Sequence, residues 1–327
     1  MFSLNDKISL RQLQILLILD TFGTGVIFLP RLVSEYSSQD GWIVVVISTI
    51  IALIYTYLIT EVTKIFPNKS FVQTVSTIMG KPIGIMIGII FAARIIINVS
   101  FELRYFAEIC RQTLLNNTPF WFVYIGMLSI SAFAAMKGYE TRARLAEIFI
   151  FIVFIPLIII FAIVSIDVDY SNLLPIFTTS KVEMIKGGYH AAFSFSGLEF
   201  VLLVSPFVNN PKEIRKSVVH TTLFLGIMYL IITVITIARF GSYEITKQMW
   251  PVLEMMDTID IPGSFIERQE ALMMSFWVIS VFALINAGLF FSSLLLKDSI
   301  KKYKHSTYIY ICLPIIFFLT YIPKDIF

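Results

Sequence analysis

The chain has 327 residues, 57% of them hydrophobic and only 14% charged, with 30 phenylalanines and a formal charge of +3. Its mean hydropathy is +0.83. This balance excludes a water-soluble enzyme and leaves an all-α integral membrane protein, residues 1–327 forming a single polytopic transmembrane domain. The small net charge gives no footing for nucleic acid. Cys110 and Cys312 are assigned near opposite membrane faces, so neither a disulfide framework nor a metal site is expected, and no cofactor is implied.

A helix needs about 20 apolar residues to cross the hydrocarbon. Apolar segments run over 9–33, 42–66, 82–115, 120–136, 143–166, 184–208, 217–240, 265–296 and 307–321, which gives nine candidate spans. The first is long, contains Asp20 and lacks a small-residue cleavage site, so it is expected to stay attached as a span. Pro67-Asn68, Gly80-Lys81-Pro82, Lys137-Gly138, Asn209-Asn210-Pro211 and Pro262-Gly263 mark the ends of helices. With the N-terminus inside, fifteen Lys and Arg fall in inner segments and seven in outer ones. Asp167, Asp169, Glu244, Glu254, Asp257 and Asp260 crowd the outer loops. The positive-inside rule therefore favours a cytoplasmic N-terminus.

Two spans are interrupted. Span one reads Asp20-Thr21-Phe22-Gly23-Thr24-Gly25, with Leu29-Pro30 beyond, and span six reads Gly187-Gly188, then Phe193-Ser194-Phe195-Ser196-Gly197-Leu198-Glu199, with Pro206 further on. Glycine weakens a helix and bares its backbone. A bared backbone survives in a membrane only against protein or a water-filled cavity. Breaks five spans apart are what a five-plus-five inverted repeat produces, with half-helix ends meeting at the midplane. Free N–H groups there suit an anionic group and free carbonyls a cationic one, a pairing that fits a zwitterion such as an amino acid. The alternative is that Gly23-Thr24-Gly25 and Ser194 to Gly197 serve close helix packing.

These residues carry a resemblance. Gln12, Gly23-Thr24-Gly25 and Leu29-Pro30 in span one, Asn172-Leu173-Leu174-Pro175 before span six, the run Phe193 to Glu199 with Pro206-Phe207, and Phe265-Ile266-Glu267-Arg268-Gln269-Glu270 at span eight resemble the spore germination permease family. These are the B subunits of nutrient germinant receptors, within the amino acid/polyamine/organocation transporter superfamily. The resemblance implies a LeuT-like 5+5 inverted-repeat bundle with helices 1 and 6 broken. Family members resemble ten-helix proteins, so this chain is expected to lack the tenth helix.

Its implied function is that of a non-enzymatic membrane subunit in the spore inner membrane. That subunit binds a small germinant, an amino acid in the first instance, and signals to the A and C subunits of the receptor complex. The competing reading is a working amino acid permease.

The expected ligand site comprises Asp20, Gly23, Thr24, Gly25, Asn98, Phe193, Ser194, Phe195, Ser196, Gly197 and Glu199. Charges inside a membrane are functional candidates by default. Asp20 either holds a ligand amine or cation, or is solvated by the cavity or paired with a span-three arginine. Glu199 is either a ligand contact or proton-coupled gate, or a tie between helices. In span three, Arg94, Asn98, Glu102 and Tyr105 share one stripe, and Arg104, Glu108 and Arg111 another, so ion pairing within the helix is expected, with Asn98 deep enough to line a cavity. His190 and His220 read as core histidines. Arg268 and Glu270 either cap span eight or dock a partner. Ser280, Ser292 and Ser293 are a weak signal for sodium, and span five lacks a mid-helix lysine. Gly84 and Gly88 offer a small-residue packing face.

Overall fold

The computed structural model describes residues 6–23, 25–257 and 269–322, the side chains of 257 and 269–273 excepted. Helix follows helix: α1 (Leu10–Thr21), α2 (Gly25–Ser37), α3 (Gly41–Ile65), α4 (Phe71–Met79), α5 (Lys81–Thr113), α6 (Phe120–Met136), α7 (Tyr139–Val164), α8 (Lys181–Ala191), α9 (Val201–Val204), α10 (Ile214–Lys247), α11 (Pro251–Asp257), α12 (Gln269–Ile300) and α13 (His305–Leu319). Among the described residues there is no strand, only an isolated parallel bridge between Ile8 and Val208. That bridge ties the start of the chain to the end of span six, with Lys7 Nζ donating to the Pro206 carbonyl at 2.7 Å.

Among the described residues, six stretches are long and apolar enough to cross a membrane: Gly25–Ile65, Lys81–Thr113, Tyr139–Val164, Lys181–Phe207, Pro211–Lys247 and Met274–Ile300. Phe120–Met136 and His305–Leu319 are shorter apolar helices. α12 packs along α5, and α10 along α3. α7 exposes Ile148, Phe151, Ile155, Ile158 and Ile159, the apolar face a helix turns towards lipid.

Local signals set the ends. Ser9 accepts from the Gln12 amide at 3.2 Å while the Gln12 side chain accepts from the Ser9 amide at 3.0 Å, a reciprocal cap that starts α1. The same arrangement between Ser70 and Gln73 starts α4, a short helix between spans two and three for which the sequence reading had no element. Asp6 caps α7 by accepting from the Glu140 amide at 3.1 Å. Between α2 and α3, buried Asp40 accepts from the amides of Phe177, Thr178 and Thr179 at 2.8, 2.8 and 3.0 Å, clasping the segment that leads into α8. Burial works against this carboxylate. The backbone donors and the Thr178 hydroxyl outweigh it and hold Asp40 below the usual carboxylate range.

The two interruptions differ in kind. In span one, α1 stops at Thr21 and α2 resumes at Gly25, and Thr24 lies outside the described residues. In span six the chain stays helical but tightens into a 3₁₀ helix over Ala192–Phe200, between α8 and α9. A nine-residue run of this tighter helix is unusual and marks a site under constraint.

Gly187 and Gly188 sit against Tyr36 and Ile47. Gly84 and Gly88 likewise receive Ser76 of α4 and Ser299 of α12. His190 and His220 are both exposed, His190 stacked 5.2 Å from Tyr36, because each falls on the outer face of its helix; neither is a core histidine. Phe265 to Arg268 lie outside the described residues, as do the side chains of Gln269 and Glu270.

Candidate functional site

The end of α1 delivers Asp20 into the bundle, where it is fully buried. Its partner is Arg142 of α7: Nη2 donates to Oδ1 at 2.7 Å, with both side chains at most 3% exposed. This corrects two expectations. The arginine comes from span five rather than span three, and Arg142, counted with the inner loop, turns inward. The guanidinium lies 5.5 to 5.9 Å from the ring centres of Tyr139, Phe290 and Phe291, which suits a weakly hydrated planar cation. A charge so deep is tolerable only when paired. The pairing is incomplete: among the described residues, Asp20 Oδ2, Arg142 Nη1 and the Thr21 hydroxyl have no hydrogen-bond partner.

Span six meets this end of α1 through Gly197. A Cβ there would stand 2.5 Å from Thr21 Oγ1 and 2.6 Å from the Asp20 carbonyl, so only glycine permits the approach. Tyr229 of α10 adds a tie that the sequence reading did not single out. Its buried hydroxyl lies 3.3 Å from the Thr21 carbonyl and 3.1 Å from the Ser194 carbonyl, so one donor serves both interruptions. Its ring packs against Phe22 and Phe195, with centroids at 6.0 and 5.1 Å.

Two residues beyond Gly197, Glu199 pairs with Arg94 of α5. Span three thus sends Arg94 across to another helix. Pairing within that helix is found instead at Arg104 and Glu108, 3.8 Å apart. Unlike the Asp20 pair, this one is open on one side, with Glu199 9% and Arg94 45% exposed.

The pair stands in the common wall of two cavities. One, of about 310 Å³, is polar and takes Asp20, Asn98, Glu102, Ser196, Gly197 and Glu199 into its lining. The other, of about 620 Å³, is apolar and lies against Ile51, Tyr55 and Phe91. Arg94, Phe193, Ser196 and Glu199 line both.

Of the expected site residues, Asp20, Asn98, Phe193, Ser196, Gly197 and Glu199 line the polar cavity. Ser194 contributes its carbonyl to Tyr229, and Phe195 is buried behind it. Gly25 faces Ser194, where a Cβ would find ordinary contact at 3.8 Å, and Gly23 abuts Leu284. Ser292 and Ser293 place their hydroxyls on carbonyls of their own helix, whereas the Ser280 hydroxyl has no partner among the described residues.

The fold and site define a class: a polytopic helical membrane protein with a cavity between α5, α12 and the interrupted span six, which Asp20 of span one also lines. Residues 7–326 match the family model described as "Spore germination protein", and the chain belongs to that family. It is 29% identical to "Spore germination protein YndE" of Bacillus subtilis (strain 168), over 99% of this chain and 90% of that protein. It is 26% identical to "Spore germination protein GerLB" of Bacillus cereus, over 98% of this chain and 87% of the relative. "Spore germination protein B2" of Bacillus subtilis (strain 168) is 25% identical over 98% and 88%.

Proposed function

We propose that this chain is the ligand-sensing membrane subunit of a nutrient germinant receptor, and that a small zwitterion, an amino acid in the first instance, binds in the polar cavity between spans one and six. The observation that carries the reading is the Arg94–Glu199 pair, standing open to a cavity that also holds Asp20, Asn98 and Ser196. A ligand's carboxylate is complementary to Arg94, and its ammonium to Glu199. Binding inserts the ligand between the two members of the pair. It exchanges one contact between α5 and span six for two contacts through the ligand.

A ligand shifts a protein between states only by preferring one of them. The preferred state here is the one with the pair opened, and span six is the element that moves. The proposal extends to a LeuT-like five-plus-five repeat within the amino acid/polyamine/organocation superfamily and to one transmembrane domain over 1–327. It also places the N-terminus in the cytoplasm, the protein in the spore inner membrane, and the A and C subunits as partners that read the change.

The test uses purified full chain in liposomes with a panel of labelled L-amino acids. Saturable binding of one or more of them without accumulation in the lumen is expected. Accumulation down or against a gradient makes the chain a permease, and no binding of any member removes the site.

A further inference from the structure

A second cavity lies against the start of α5, and we propose that it is a binding site for the headgroup of an anionic phospholipid. The cavity measures about 640 Å³ and is walled by α4, the start of α5 and the end of α12. Lys69, Lys81 and Lys301 reach it from three separate elements, and Asp298 is the one acidic residue in its lining. Gln73 and Thr77 add amide and hydroxyl groups, while the Ser76 and Ser299 hydroxyls turn to Gly84 and Gly88 of α5. The excess of positive charge, with neutral donors between the lysines, is what a phosphate ester requires.

Lys69 Nζ lies 3.2 Å from Thr77 Oγ1 across α4. Beside the lysines, Val72, Ile85 and Ile300 share the lining, and Ile300 is exposed. A pocket that joins lysines to aliphatic side chains fits a molecule with an anionic head and acyl tails.

The walls are also held in place. Gly84 of α5 receives Ser76 of α4, and Gly88 receives Val72 and Ser299. These close approaches fix α4 and the end of α12 on α5, so the lysines converge on a rigid frame. The inner-face assignment of Lys69, Lys81 and Lys301 puts the cavity at the leaflet whose anionic lipids attract basic groups.

The test is lipid retention by full-length protein extracted from vesicles of equal phosphatidylglycerol and phosphatidylcholine, read by native mass spectrometry. Phosphatidylglycerol is expected to be retained over phosphatidylcholine, and the ratio to fall about fivefold for each of Lys69→Gln, Lys81→Gln and Lys301→Gln. Lys137→Gln, on the same face outside the cavity, is expected to leave it unchanged, and Lys81→Arg to preserve it. Lys301→Gln, at an exposed helix end, decides the question alone if Lys69→Gln or Lys81→Gln fails to insert. Equal retention of the two lipids overturns the proposal, as does an equal effect of Lys137→Gln. Displacement of bound lipid by millimolar inorganic phosphate makes this a site for free anions and likewise overturns it.

Discussion

The two carboxylate–arginine pairs flank one cavity and are built for different work. Asp20–Arg142 is sealed, with side chains 1% and 3% exposed, and three aromatic rings surround its guanidinium. Glu199–Arg94 has one partner 45% exposed and two cavities beside it. The lesson is that burial separates an anchor from a contact site. A sealed pair cannot exchange partners without stranding a charge in a low-dielectric interior, whereas an open pair exchanges them against ligand or water.

The comparison is broken most severely at the anchor. Arg142→Met is expected to lower stability by about 3–5 kcal/mol, because it leaves Asp20 buried without its cation. Arg142→Met combined with Asp20→Leu should recover most of the folded yield, measured as monodisperse protein after extraction from membranes. If the single variant were as stable as wild type, the sealed pair would not be an anchor.

The next effect is at the glycines. Gly197→Ala places a methyl group against the Asp20 and Thr21 backbone and is expected to cost roughly 1–3 kcal/mol and to separate the two spans. Gly25→Ala meets only Ser194 at ordinary contact distance and should be tolerated, whereas Gly25→Leu should abolish ligand response while leaving the protein inserted. Thermal unfolding in detergent, with ligand titration, ranks the three.

Tyr229→Phe keeps the ring packing and removes the donor shared by the Thr21 and Ser194 carbonyls. A loss of about 1 kcal/mol is expected, with weakened coupling between the two interruptions. At the turn between α2 and α3, Asp40 sharpens the contrast with a carboxylate held by neutral donors instead of a cation. Its folded value lies below the ordinary 3.8, so its stabilisation is present above that value and is lost as pH falls through the lowered one. Unfolding of Asp40→Asn should show less acid dependence than wild type.

How much of this was legible from sequence follows the range of each signal. Apolar runs and the Gly23–Gly25 and Gly187–Gly197 clusters are local, and they marked both interruptions; of the nine spans expected, six stretches among the described residues are long and apolar enough to cross a membrane. The 3₁₀ form of span six was not legible, because serine, glycine and phenylalanine there are compatible with several backbones and the choice depends on the fit against α1. Asp20 was identified as a buried charge, but its partner was sought in span three. Helix spacing says which residues share a face and nothing about which helix that face meets. Tyr229 carried no signal, since a tyrosine in an apolar span looks like packing until two carbonyls are seen within reach of its hydroxyl. α4 was missed because its stretch is too short and polar to count as a span, although the Ser70 and Gln73 cap was present in the sequence.

The central claim is that the open pair, not the sealed one, meets the ligand, and it is tested most directly at Glu199. The measurement is equilibrium binding of the amino acid that purified wild type retains, compared in Glu199→Gln protein matched for folded yield and melting temperature. A loss of about tenfold or more in affinity, with folding unchanged, is the predicted result. Unchanged affinity together with a lower folded yield would contradict it and make Glu199 a tie between helices.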